Sequence, residues 1–188
     1  ARVKINWVDS EKLTEESCSR YLEGMDGVIV PGGFGGRGIQ GMTHAAHYAR
    51  VNRIPYFGIC LGMQVAVIEY ARNVLAWSDA NSSEFDPKCT HPVIDLMPDQ
   101  QGNLPKGGTM RLGAYPCEIQ PGTVLERAYQ RRSVGERHRH RYEFNNSYRQ
   151  QLEEAGLVIS GTSPDGRLVE AVELPGHDFY VGVQYHPE

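Results

Sequence analysis

The sequence lacks an apolar run of the roughly 20 residues that a membrane span needs, and its first residues lack the pattern of a signal peptide. It also lacks a strong charge of one sign: the net charge is -4 and the isoelectric point is near 6.0. That balance gives no general reason to expect a nucleic-acid partner. We therefore expect one soluble cytoplasmic domain of 188 residues, without membrane or nucleic-acid partners.

Cysteine is scarce, and the four that occur are too scattered for a paired metal knuckle or for the disulfide framework of a small secreted domain. We expect no metal site, and we expect Cys18, Cys89 and Cys117 to be ordinary thiols. Cys60 differs, because it lies between Gly58 and Gly62 where an apolar strand is expected to turn into a helix.

Strand and helix patterns alternate along the first part of the chain. Strands are predicted at residues 3–8, 27–30 and 54–59, and helices at residues 18–25, 41–51 and 61–72. This alternation predicts the α/β class, with a mostly parallel central sheet and flanking helices. Later strand patterns follow one another at residues 93–97, 110–119, 157–162, 168–174 and 179–185, with a short helix at residues 147–156. The later part of the sheet is therefore expected to be antiparallel or mixed.

The stretch GICLGMQ at residues 58–64 has the form of a nucleophile turn. Its glycines allow the sharp fold that lifts a nucleophile above the sheet, and the N–H of Leu61 would then face an oxyanion. The positive end of the following helix favours thiolate over thiol, so we expect a lowered pKa for Cys60.

A cysteine nucleophile needs a base and a group that orients the base. His186 and Glu188 are two residues apart in an extended segment around a proline, so their side chains face the same way. His186 is therefore the candidate base and Glu188 its orienting carboxylate. Gly33, in a glycine-rich turn after another strand, is the candidate second oxyanion donor.

Two other interpretations concern short motifs. Residues 33–38 match G-x-G-x-x-G, but the acidic residue that dinucleotide binding requires about 20 positions later is missing at residues 53–57. The basic run at residues 137–141 could be a nucleic-acid patch or a metal site, and a short cationic run in an acidic chain supports neither strongly.

Three motifs together resemble the class I glutamine amidotransferases: PGGFG at residues 31–35, GICLGMQ at residues 58–64 and HPE at residues 186–188. Three more narrow the resemblance to the amidotransferase domain of the CTP synthase family. They are NSSEF at residues 81–85, GGTMRLG at residues 107–113 and ERHRHRYE at residues 136–143. The resemblance extends over nearly the whole chain and implies the class I glutamine amidotransferase fold.

The resemblance implies hydrolysis of L-glutamine to glutamate and ammonia through a glutamyl thioester. It makes Cys60 the nucleophile, His186 the base and Glu188 its partner, with Gly33 and Leu61 as oxyanion donors. Further residues implied to bind glutamine are Gly62, Met63, Gln64, Glu84 and Arg141. Glu84 and Arg141 carry the charges that the ammonium and carboxylate of a free amino acid require.

The same resemblance implies partners beyond this chain. A synthase domain of the same polypeptide would bind ATP and Mg²⁺ and aminate UTP to CTP, in a homotetramer. GTP would be an allosteric activator, with Arg111 as a regulatory candidate, and the domain itself would need no cofactor. The chain begins inside a predicted strand and ends on HPE, so we expect a fragment that is incomplete at both ends. Another cysteine amidase or peptidase, or an inert glutamine-binding fragment, are the alternatives.

Overall fold

A mixed seven-stranded sheet organises the chain, which a computed structural model describes over residues 2–97 and 110–188. The strands of these residues are β1 (Val28–Val30), β2 (Tyr56–Ile59), β3 (Asn81–Ser82), β4 (Pro92–Asp95), β5 (Arg111–Ile119), β6 (Ser133–His140), β7 (Glu143–Phe144), β8 (Val158–Thr162), β9 (Val169–Glu173) and β10 (Tyr180–Val183). The large sheet has the order β1-β2-β10-β9-β8-β5-β6, and β3, β4 and β7 form a small second sheet. The predicted α/β class with an antiparallel or mixed later part is confirmed. The sheet is less parallel than expected, because only the pairs β1-β2 and β2-β10 are parallel among the neighbours of the large sheet.

The helices of the described residues are α1 (Cys18–Leu22), α2 (Ile39–Val51), α3 (Leu61–Asn73), α4 (Val124–Tyr129) and α5 (Arg149–Glu154). Short 3₁₀ turns lie at Ser10–Lys12 and Asn146–Tyr148. Helix α3 is buried along nearly its whole length between α2, the small sheet and the parallel strands, because its residues are apolar on almost every side. None of these helices has the length and apolarity needed to cross a membrane.

The parallel strands β1, β2 and β10 bring distant parts of the sequence to one edge. Gly182 of β10 pairs with Gly58 of β2, and the N–H of Cys60 donates to the carbonyl of Val183 at 2.7 Å. The segment that continues from β10 therefore runs past the turn at Cys60. This register brings residues 184–188 to the end of β2, as expected when the carboxyl ends of parallel strands share an edge.

The sheet changes direction beyond β10, where each neighbouring pair of strands is antiparallel. Helix α4 packs near this half, and its first N–H groups are capped by the Thr123 hydroxyl and by the buried carboxylate of Glu173. These caps satisfy N–H groups that a short helix leaves without partners.

Two sequence predictions fail locally. Residues 3–8 form no strand: Val3, Ile5 and Trp7 are exposed, because a strand forms only where a neighbour takes up its backbone hydrogen bonds and no described strand lies beside this segment. Strand β6 was not expected, since the side chains that it turns inward, His138 and His140, are polar. Periodicity of apolar residues cannot detect such a strand.

Candidate active site

The turn between β2 and α3 holds Cys60 in an uncommon backbone conformation, with φ 52° and ψ -102°. A Cβ at Gly58 would lie 2.5 Å from the backbone of Gly62, and one at Gly62 would lie 2.1 Å from the carbonyl oxygen of Val30. Side chains cannot be accommodated at those distances, so both flanking positions require glycine. The sequence G-x-C-x-G thus permits the close strand and helix packing that fixes Cys60 at the edge of the sheet.

His186 and Glu188 lie next to this turn. The sequence predicts that Glu188 orients the His186 ring. His186 Nδ1 is 2.8 Å from Glu188 Oε1, and the His186 main-chain N–H donates to the Arg137 carbonyl at 2.8 Å. Because a carboxylate only accepts, Nδ1 carries the proton in the neutral ring and Nε2 keeps its lone pair. Partial burial raises the pKa of Glu188, but the hydrogen bond from His186, a backbone hydrogen bond and the charges of His186 and Arg137 together outweigh burial, so the pKa is lowered.

Gly32 of the glycine-rich turn lies against both His186 and Cys60. A Cβ at Gly32 would lie 2.6 Å from His186 Cε1 and 3.5 Å from Cys60 Cβ, so both side chains border the same glycine. Gly33 follows, and a Cβ there would lie 3.2 Å from the Leu61 side chain. The predicted oxyanion residues, Gly33 and Leu61, are therefore neighbours beside Cys60.

A cavity of about 250 Å³ opens over Cys60. Its lining contains five of the residues predicted from the sequence, which are Gly33, Cys60, Gln64, Glu84 and Arg141, together with Phe34, Met110, His140 and Tyr142. The cavity is therefore bordered by the thiol of Cys60, the carboxyl group of Glu84 and the guanidinium of Arg141, which come from widely separated segments.

The remaining predicted substrate residues are packed in the interior rather than along the cavity. Met63 is fully buried beneath Gly182, Gly62 contacts the Val30 carbonyl, and Leu61 is 3% exposed. The side chains of Leu61 and Met63, together with the missing side chain at Gly62, allow α3 to pack against the parallel strands. At Leu61 the backbone N–H is the group that reaches the Cys60 thiol.

The pKa of Cys60 differs from the sequence prediction. Burial raises the pKa of this thiol to about 11, the N–H of Leu61 and the amide of Gln184 act in the opposite direction, and the charges of Glu143 and Glu188 add to the increase. The predicted lowering is therefore wrong for this geometry, because desolvation of the thiolate outweighs the helix N-terminus.

Glu84 and Arg141 both line the cavity, and their opposite charges interact. Burial raises the pKa of Glu84, while an N–H of Gly35 and the positive charge of Arg141 partly offset this effect. The guanidinium of Arg141 also lies 5.9 Å from the centre of the Tyr142 ring. The cavity thus offers one carboxylate and one guanidinium near the thiol.

A buried charge cluster adjoins the cavity through His140. Its members are Arg111, His138, His140, Glu143 and Glu170. Arg111 donates to Glu170 Oε1 at 2.6 Å and to Glu143 Oε1 at 3.1 Å. Burial raises the pKa of Glu143 to about 8 and also raises that of Glu170. Burial lowers the pKa of His138 to about 3, and the pKa of His140 is lowered for the same reason.

The regulatory candidate Arg111 is the centre of this cluster, 9% exposed and bound to two carboxylates. The glycines at positions 107 and 108, which carried part of that prediction, lie outside the described residues. Glu143, Glu170 and the two histidines were not predicted as a unit. The alternation of histidines at positions 138 and 140 was the available signal, since i and i+2 share one face of a strand.

The basic run at residues 137–141 is divided between two faces of β6. His138 and His140 point inward, while Arg137 and Arg139 are exposed. Within residues 2–97 and 110–188, no three His, Cys, Asp or Glu side chains are placed to hold a metal ion together.

Comparison with known proteins gives a consistent match over the whole chain. The family model for glutamine amidotransferase class-I matches residues 1–188. CTP synthase of Listeria monocytogenes serotype 4b (strain F2365) is 56% identical over 188 residues, and CTP synthase of Rubrobacter xylanophilus is 60% identical over 188 residues. Each alignment covers all of this chain but only 35% and 34% of the relative, so the chain spans about a third of their length.

The solved structures include a domain of the same kind. The glutaminase domain of Trypanosoma brucei CTPS with bound acivicin superposes with a TM-score of 0.93 at 47% identity, covering all of this chain and 74% of that one. A glutamine amidotransferase from Thermotoga maritima has a TM-score of 0.58 at 16% identity, covering 88% of this chain and 57% of that one. The second likeness concerns the fold alone.

Proposed function

Because this chain belongs to the class I glutamine amidotransferase family, we propose that its cavity hydrolyses L-glutamine to glutamate and ammonia with Cys60 as nucleophile. Its sequence and fold match the glutamine amidotransferase domain of CTP synthases. The observation that carries the proposal is that the cavity over Cys60 is also lined by Glu84 and Arg141. A free amino acid needs both of those countercharges, whereas an internal residue of a peptide needs neither.

In the first half-reaction His186 Nε2 takes the proton of the Cys60 thiol, and Sγ attacks the side-chain amide carbon of glutamine. The carbonyl oxygen becomes an oxyanion, which the N–H groups of Gly33 and Leu61 stabilise. The C–N bond then breaks as the imidazolium gives its proton to the leaving nitrogen. Ammonia departs, and a glutamyl thioester remains on Cys60.

Water completes the cycle in the second half-reaction. His186 Nε2 removes a proton from water while its oxygen forms a bond to the thioester carbon, and the C–S bond then breaks. Glutamate leaves and the sulfur recovers its proton from the imidazolium. Glu188 stays ionised throughout and holds the ring at Nδ1, which leaves the lone pair of Nε2 for proton transfer.

Recognition of glutamine rests on charge. Glu84 would accept hydrogen bonds from the α-ammonium and Arg141 would donate to the α-carboxylate, while Gln64 lines the same wall. The cavity of about 250 Å³ suits a single amino acid rather than a folded or extended polypeptide.

We extend the proposal to the whole protein. The ammonia would pass to a synthase domain of the same polypeptide, which would bind ATP and Mg²⁺ and aminate UTP to CTP. A cytoplasmic homotetramer activated by GTP belongs to the same proposal, as does Arg111 as a regulatory residue. Arg111 would act by shifting its buried ion pairs, because its guanidinium already contacts two carboxylates.

The test is ammonia release from L-glutamine by this chain and by its Cys60→Ser variant. We expect activity to fall by about 10⁴-fold or more when the nucleophile is removed. Cys89→Ala is the matched control, since that thiol is half-buried and lies outside the cavity lining. Undiminished ammonia release by Cys60→Ser would disprove the mechanism.

Two further measurements separate the alternatives. Glu84→Gln and Arg141→Met should each raise the KM for glutamine by about 10- to 100-fold, because each removes a charge-assisted hydrogen bond. A substrate panel in which peptides outperform glutamine would favour a peptidase. Calorimetric titration that detects glutamine binding without turnover would identify the chain as an inert binding fragment.

A further inference from the structure

Gln184 lies directly after β10, two residues before His186, and its side chain is fully buried. Its amide nitrogen Nε2 is 3.7 Å from Cys60 Sγ, within hydrogen-bonding range for sulfur. Neither its position in the sequence nor its residue type suggested contact with the thiol. The parallel pairing of β10 with β2 produces that contact.

The orientation of this amide is fixed by its neighbours. Gln64 Nε2 donates to the Tyr142 carbonyl at 3.1 Å and to Gln184 Oε1 at 3.2 Å. A carbonyl can only accept, so the amide nitrogen of Gln64 must face it, and its second N–H is directed to Gln184 Oε1. The nitrogen of Gln184 is thereby turned toward the sulfur.

The Tyr142 carbonyl also accepts a hydrogen bond from His140 of β6. His140 Nδ1 is 3.1 Å from the Tyr142 oxygen, and His140 Nε2 is 2.8 Å from His138 Nδ1. His140 Nδ1 therefore donates to the carbonyl, and His138 donates to His140. All these hydrogen bonds have a defined direction, so the amide of Gln184 can present only N–H groups to Cys60.

We propose that Gln184 is a catalytic residue whose amide N–H, oriented by Gln64, stabilises the thiolate of Cys60. This inference rests on the proposed function only in taking Cys60 as the nucleophile. When substrate binds, the N–H of Leu61 is needed by the oxyanion, whereas the N–H of Gln184 comes from the segment after β10 and stays with the sulfur. Gln184 thus stabilises the negative charge on sulfur before attack and again as the C–S bond breaks in the second half-reaction, whereas the oxyanion carries the charge in between.

The need for such a donor follows from the surroundings of the thiol. Burial opposes ionisation of Cys60, and several titratable or charged groups lie around it on different elements. They are Glu143 of β7, His140 of β6, Glu84 and Arg141 along the cavity, and His186 with Glu188 beyond β10. Glu143 and Glu188 raise the pKa of the thiol, and Gln184 lowers it.

The experiment measures the pH dependence of iodoacetamide alkylation at Cys60, followed by mass spectrometry of the modified peptide in a Cys89→Ala background. Gln184→Met keeps the shape and removes the donor, so alkylation at a fixed pH near neutrality should fall by about tenfold, with the profile moved to higher pH. The kcat for glutamine hydrolysis should fall by a similar factor, with KM little changed.

The matched control is Tyr185→Phe, the next residue along, whose buried ring packs on the other side with Cys117. It should leave the alkylation profile in place. Gln184→Glu is the second variant if the methionine variant fails to fold; it keeps an acceptor for Gln64 and should move the profile in the same direction.

A folded Gln184 variant whose alkylation profile coincides with that of the parent would overturn the inference. Alkylation does not depend on turnover, so this result is separate from a failure of the proposed function. A shifted profile together with glutamine hydrolysis that survives Cys60→Ser would support the contact but remove the proposed mechanism.

Discussion

The two halves of the large sheet position the site by different physical means. In the parallel half, β1, β2 and β10 with α3 are apolar, and the turn at Cys60 is fixed by glycines that let backbones approach closely. In the antiparallel half, β5, β6 and β9 bury a cluster of charges beside the cavity. Steric fit therefore places the nucleophile, whereas ion pairs and hydrogen bonds hold the wall that carries Arg141 and Tyr142.

This difference predicts different sensitivities. A steric arrangement tolerates changes in charge and pH but fails when a methyl group is added. A buried charge cluster tolerates small changes in volume, yet its stability depends on ionisation because desolvation acts on every charged member.

The largest effect should come from Gly62→Ala in the parallel half. The added Cβ would lie 2.1 Å from the Val30 carbonyl oxygen, a backbone atom that cannot move away without displacing β1. We expect the free energy of unfolding to fall by about 4 kcal/mol, above the usual overpacking cost, and glutamine hydrolysis to be lost. Urea denaturation followed by circular dichroism measures the change.

Gly135→Ala is the matched control in the antiparallel half. A Cβ at Gly135 would have nothing within 4 Å, and its φ lies outside the left-handed region. The free energy of unfolding should change by less than about 1 kcal/mol. Equal losses in the two variants would show that close packing is not what distinguishes the parallel half.

A smaller effect is expected from Arg111→Met, which removes the positive centre of the buried cluster. Glu143 and Glu170 would remain without their main partner, and we expect a loss of about 3 kcal/mol at pH 8.5. The exposed Arg132 pairs with Glu126 at the surface, so Arg132→Met should cost less than about 1 kcal/mol.

The loss of stability in Arg111→Met should depend on pH. Burial raises the pKa of Glu143 to about 8, so the folded state holds this proton more tightly than the unfolded state does. Its contribution to stability is complete below the unfolded pKa and is lost as the pH rises through about 8. Removing Arg111 raises the pKa of both carboxyls further, so the deficit of the variant should be smaller at pH 6. A deficit that is equal at both pH values would contradict this account.

The sequence predicted the two halves unequally for a physical reason. The turn at Cys60 and the pair His186 and Glu188 depend on local spacing. Local patterns also predicted most of the strands and helices of the parallel half. Glu170 could not be recognised: in β9 the glutamates at positions 170 and 173 lie on opposite faces of the strand, which is typical of an exposed strand, yet every residue of Val169–Glu173 is buried. Which face of a strand is covered depends on tertiary packing, which no local pattern contains.

The contact between Gln184 and Cys60 shows the same limit, because residues 124 positions apart meet only through the order of the strands. Glu84 and Arg141 came from family motifs rather than from periodicity. At residues 3–8 the pattern predicted a strand that does not form, because the required neighbouring strand is not among the described residues. Residue patterns thus predicted chemistry at local motifs better than they predicted burial.

The smallest effect is expected from Arg50→Met, which tests whether ionic bonds matter equally in both halves. Arg50 of α2 pairs with the fully buried Glu69 of α3 at 2.8 Å, so the parallel half also contains a buried carboxylate. Glu69 additionally contacts His47 Nδ1 at 2.8 Å and accepts from Asn73 at 3.1 Å. These remaining partners limit the expected loss to about 1 to 2 kcal/mol, with kcat unchanged because the pair lies outside the cavity lining.

Arg50→Lys serves as the control, because it keeps the charge and should recover part of the loss in urea denaturation. The comparison with Arg111→Met is the informative measurement. Both variants remove an arginine from a buried carboxylate, but Glu69 keeps other donors, whereas Glu143 and Glu170 share Arg111. A larger loss for Arg50→Met than for Arg111→Met would mean that shared ion pairing does not set the sensitivity of the antiparallel half.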